Sequence, residues 1–78
     1  MSERLEAAAR LLEEAAAELE LAARHCRTAA GHFRDREVPR AGAHAWAAFG
    51  HVREAEARLD EQAREHARGS RPEPGPPG

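Results

Sequence analysis

The sequence predicts an all-α protein, an antiparallel hairpin of two long helices. Two observations carry that prediction: alanine and apolar residues recur every seven positions through two segments, and a single proline-bearing break separates them. A third, the Pro- and Gly-rich end GSRPEPGPPG, confines the folded part to about residues 1–68.

With Leu5 as position a of a heptad, a is occupied by Leu5, Leu12, Leu19, Cys26 and Phe33. Position d holds Ala8, Ala15, Ala22 and Ala29, and e holds Ala9, Ala16, Ala23 and Ala30. Four successive heptads of this kind mark a helix from about Glu3 to Arg34, and the small d and e residues permit close approach of a neighbouring helix. Asp35-Arg36-Glu37-Val38 breaks the pattern as a tight turn, and Pro39 suits the first turn of a new helix. The second helix, 39–68, carries Ala45, Val52 and Leu59 at a, Ala48 and Ala55 at d, and Phe49 at e, and ends before Gly69. The tail from 69 to 78 cannot form a core and is expected to lack structure.

The chain has 78 residues, which limits it to one small domain with much of its surface unburied. One hairpin leaves apolar surface wet, so two hairpins are expected to pair as a homodimeric four-helix bundle. The expected interface residues are Leu5, Leu12, Leu19, Cys26, Phe33, Trp46, Phe49, Val52 and Leu59. Leu11, Leu21, Trp46 and Phe49 are expected off the tightest seam, whereas Cys26 is expected as a core thiol.

The single cysteine rules out an intramolecular disulfide, and no signal peptide or membrane span is legible, which fits a cytoplasmic setting. The formal charge of −2 hides a gradient: residues 1–21 hold six acids against two arginines, and residues 22–53 hold six arginines against two acids. A folded hairpin would thus be acidic at its open end and basic at its turn. The absence of Lys, Tyr and Asn, and serines only at positions 2 and 70, remove most nucleophiles and general bases, so no enzyme is expected. Nucleic acid is not an expected partner of a chain with this overall charge; a protein partner docking at the basic turn end is a third reading, behind self-assembly and metal binding.

Four of the five histidines bracket the turn. His25 with His51, and His32 with His44, each have numbers summing to 76, and all four fall at heptad position g, which faces g in an antiparallel pair. The expectation is a ladder of two His pairs about Val38. Asp35 lies three residues after His32, and Glu54 three after His51, so each shares a helix face with its histidine. His32, His44 and Asp35 form one candidate site for a transition metal such as zinc, copper or iron; His25, His51 and Glu54 form the other. Packing of half-buried rings is the alternative reading, and a pH-responsive interface a third. HFRD and HVRE run opposite to the Glu-x-x-His of di-iron bundles, which does not occur here.

The segment AAGHFRDREVPRAGAHAWAAFGHVREAEARL resembles one helix-turn-helix unit of a tetratricopeptide-type repeat, with small and aromatic residues at a helix end, a short turn and spaced alanines. That resemblance implies hairpin geometry and no activity, since such solenoids need about three units. AHAWAAFGH is also similar to small Ala- and His-rich bacterial helical hairpins of no known role. The reading that follows is a non-enzymatic assembly or interaction module, with a metal-binding or metal-sensing bundle as the alternative.

Overall fold

The computed structural model describes residues 2–72 and consists of two 32-residue helices, α1 (Glu3–Arg34) and α2 (Val38–Gly69), packed as a hairpin. Ser2 caps α1, its hydroxyl accepting the Leu5 N–H at 3.2 Å, so one of the four unpaired amides of the first turn is satisfied. Glu3 and Glu6 in the first turn, and His32 and Arg34 in the last, complement the helix dipole. Helix α2 begins at Val38, one residue earlier than the pattern implied, with Pro39 in its first turn. It runs through Gly69, and residues 70–72 have no regular structure. The rest of the expected unstructured tail, 73–78, lies outside the described residues.

The connection is a tight C-terminal cap. Asp35 ends α1, Arg36 takes a left-handed backbone with φ 62°, the Arg36 N–H donates to the Phe33 carbonyl at 3.1 Å, and the Glu37 N–H donates to the His32 carbonyl at 2.8 Å. This pair of reversed bonds is the Schellman arrangement, whose left-handed position is most often glycine. An L side chain there costs about 1–2 kcal/mol. Arg36→Gly is therefore expected to stabilise the hairpin by up to about 1 kcal/mol, roughly 4–8 °C in Tm for a domain of this size. Thermal unfolding followed by circular dichroism checks it; an unchanged Tm means the arginine side chain compensates elsewhere.

The core is made of alanine alone. Ala15, Ala22 and Ala29 of α1 and Ala41, Ala48 and Ala55 of α2 are buried, none more than 5% exposed, and among the described residues no large side chain is fully buried. All six occupy position d. Beside them run the g residues, among them Leu11, Glu18, His25 and His32 of α1 and His44, His51 and Arg58 of α2, each half-buried. The seam is thus d with g. Small side chains at d bring the backbones close, and g supplies polar pairs that can be satisfied only across the seam. Leucine at a could not enter so narrow a gap.

This arrangement overturns two expectations. Cys26 is exposed, and is not a core thiol, because position a lies beside the seam and not in it. Leu11, at g, lies in the seam and is half-buried, whereas Leu21, at c, stays off it as expected. The large apolar residues that remain exposed are Leu5, Leu12, Leu19, Phe33, Val38, Trp46, Phe49 and Leu59, from 44% for Leu59 to 75% for Trp46.

In an antiparallel pair sharing d and g, position a of both helices rotates to the same side. Leu5, Leu12, Leu19, Cys26 and Phe33 therefore share one face with Val38, Ala45, Val52 and Leu59, flanked on α1 by the alanines at e. The opposite face, at c, carries the charged or polar Glu14, Thr28, Arg40, Glu54 and Glu61 beside Ala7, Leu21 and Ala47. One broad side of the hairpin is apolar and the other mostly polar.

Candidate functional site: a file of histidines between the helices

The g residues of the two helices interleave near the turn into a single file. From the turn outward the order is Glu37, His32, His44, His25, His51, Glu18. The Glu37 carboxylate lies 3.5 Å from the His32 Nδ1, the His32 and His44 rings stack at 5.4 Å between centroids, and His44 meets His25 Nδ1 to Nδ1 at 2.9 Å. His25 then stacks on His51 at 5.4 Å, and the His51 Nδ1 bonds the Glu18 carboxylate at 2.6 Å. Contacts through nitrogen alternate with contacts through ring faces, and a carboxylate closes each end.

The register lies about half a heptad from the expected one, so the histidines of the two helices interleave: the expected pairs are in contact, and each ring also meets a second partner. The nitrogen-mediated pairs Glu18 with His51, His25 with His44, and His32 with Glu37 all have numbers summing to 69, not 76. The pairs that sum to 76, His25 with His51 and His32 with His44, are present as ring stacks. The cause is the turn: α1 runs to Arg34 and α2 starts at Val38, so the chain pivots near Asp35-Arg36 and not at Val38.

The His25–His44 contact is head-on. Their centroids are 5.2 Å apart and their bonded nitrogens 2.9 Å, a difference of 2.3 Å that matches about two imidazole radii, as when each nitrogen points along the line joining the rings. A hydrogen bond at this distance requires one ring to carry its proton at Nδ1 and the other to offer its Nδ1 lone pair. Both rings carrying a proton at Nδ1 would set N–H against N–H. An ion held by both nitrogens on this line would need them about 4 Å apart, given metal–nitrogen bonds of ~2.0–2.1 Å.

The structure does not assemble the expected ligand triads. Asp35 is the exposed C-cap of α1, and Glu54 is exposed and bonded to Arg58. Among the described residues no three His, Cys, Asp or Glu side chains converge in a metal-binding geometry. His66 is exposed near the far end of α2. The residues that do engage the histidines, Glu18 and Glu37, escaped the sequence reading. Glu18 was legible as the g residue one heptad before His25. Glu37 was not, because its approach to His32 depends on the left-handed turn at Arg36.

Beyond Glu18 the file passes to Arg58, whose guanidinium pairs with Glu54 and, at 3.6 Å, with Glu14. Its hydrogen bond to Glu54 raises the Arg58 pKa above the ordinary value; desolvation opposes this, and the charges of Glu54, Glu14 and Glu18 add to it. Near the turn, Trp46 meets Phe49 edge-on at 6.1 Å and Arg53 lies 5.8 Å over the Phe49 ring, all three outside the file.

Compared with protein-family models, with curated proteins and with solved structures, the chain matches none.

The head-on bond makes a prediction of its own. Nitrogen-15 spectra of the imidazoles at neutral pH are expected to show one ring of the His25–His44 pair in the less common Nδ1–H form, with His25→Gln removing that signal from His44 or leaving it without its partner shift. Two ordinary Nε2–H tautomers at these positions would contradict the bond.

Proposed function

We propose that this protein is a non-enzymatic helical assembly module that binds a second copy of itself through its a face, forming a four-helix bundle. The observation that supports the reading is the coexistence of an alanine-only core with a continuous apolar face left exposed beside it. Each buried alanine methyl contributes on the order of 0.8 kcal/mol, so the seam alone is a thin basis for a stable fold. Covering the a face with a matching one removes leucine, phenylalanine and valine side chains from water at about 25 cal/mol per Å². The histidines and glutamates of the seam are engaged with one another, which suits a role in setting register.

Sedimentation equilibrium at micromolar concentration is the test, with a mass of two chains expected. A single-chain mass at all concentrations would overturn the reading. Native mass spectrometry with zinc, copper or ferrous iron added tests the alternative: ion uptake that disappears in His25→Gln would make the file a metal site.

A further inference from the structure

The charge pattern beside the a face specifies how the second copy sits. Position b of α1 runs along the outer edge of that face and reads Glu6, Glu13, Glu20, Arg27, Arg34, acids toward the open end and arginines toward the turn. All five are exposed. Among the described residues none of the five takes part in an ion pair, although Glu14, Glu18, Glu37, Glu54, Asp60, Glu61 and Glu65 all do. The hairpin as a whole has the same polarity. Residues 22–53, the turn half, carry six arginines against Asp35 and Glu37, and the open half is net acidic.

We infer that two copies stack a face to a face in antiparallel orientation, the turn end of each lying over the open end of the other. This rests on the self-assembly reading above and adds its geometry. A twofold axis perpendicular to the helices, passing near Leu19 at the middle of α1, sets α1 against α1 of the second copy. The edge stripe is then self-complementary: Glu6 lies within about 3 Å in height of Arg34 of the second copy, and Glu13 within about 3 Å of Arg27. Within the face, Leu5 is level with Phe33 and Leu12 with Cys26, so a larger residue meets a smaller or complementary one. A parallel stack, with the axis along the helices, would bring the two basic turn ends together and the two acidic open ends together. Like-charge juxtaposition of that kind disfavours one orientation even where the apolar face would accept both.

Cys26 serves as the reporter. In the antiparallel stack the two Cys26 residues are fourteen positions apart in height, about 21 Å at ~1.5 Å per residue, whereas a disulfide needs Cα atoms within about 4.4–6.8 Å. The wild-type chain, treated with oxidised glutathione, is expected to stay uncrosslinked on a non-reducing gel. Leu12→Cys is expected to crosslink into a dimer. Cleavage after arginine should then give the peptide containing position 12 joined to the peptide containing Cys26, and Leu12→Cys combined with Cys26→Ser should not crosslink. Joined peptides of 12 with 12 or 26 with 26 overturn the antiparallel orientation. A sedimenting dimer with no crosslink overturns the antiparallel stack of α1 on α1, and a single-chain mass in solution overturns the underlying self-assembly reading instead.

Discussion

Leu19→Glu is expected to convert the dimer to single chains, weakening association by about 100-fold or more. Each factor of ten corresponds to about 1.4 kcal/mol, and an uncompensated charge buried at an interface typically costs about 3–5 kcal/mol. Leu19 is 45% exposed in the hairpin itself, so the substitution removes little from the α1–α2 seam. Glutamate is also as good a helix former as leucine, to within a few tenths of a kcal/mol. The damage should therefore fall on association and be visible as a change in mass before any loss of helix. Near a twofold axis the two introduced carboxylates would also face each other. Glu14→Gln, on the opposite face, is the matched control and should leave the mass unchanged. If Leu19→Glu sediments like the wild type, the apolar face does not mediate assembly.

Ala22→Leu is the second large effect, and it acts inside the hairpin. Ala22 is 4% exposed at the middle of α1, and the register sets it opposite Ala48, which is equally buried. Nothing at this point can yield except the separation of the helices, because the facing residue is already the smallest side chain short of glycine. Overfilling a well-packed site costs about 1–3 kcal/mol, which in a domain this small is a loss of roughly 10 °C or more in Tm. The same wedge would pull His25 and His51 away from their partners, so the head-on imidazole bond should disappear with it. Ala17→Leu, at an exposed position on the outer side of α1, makes the same chemical change without the wedge. Thermal unfolding of the two variants side by side checks the claim: equal stability would show that the seam is loose enough to admit leucine.

The two substitutions separate two surfaces that one heptad pattern had merged. Read as a sequence, Leu5, Leu12, Leu19, Cys26 and Phe33 look like the natural seam, because they are the large apolar residues of the repeat. In the fold they lie on the outer face of the pair, and the seam belongs to alanines and histidines. Helix count, the bounds of α1 and the place of the break were all legible, since heptad spacing and a proline act locally. The presence of all four histidines at the helix–helix boundary was legible too, because it follows from their sharing position g.

Pairing was a different matter. The His25–His44 bond, the Glu18 and Glu37 ends of the file and the exposure of Cys26 depend on where the chain pivots. That point is fixed by the left-handed Arg36 and the Schellman bonds around it. A shift of a few residues in the pivot moves every cross-helix partner by about half a heptad without changing which face any residue occupies. Two amphipathic helices, their order and the polarity of charge along them therefore follow from the chain alone, because these are properties of neighbours within it. The tertiary structure alone decided which stripe became the seam and which imidazole met which, because both depend on how closely two backbones approach, and here that distance is set by the alanines at d.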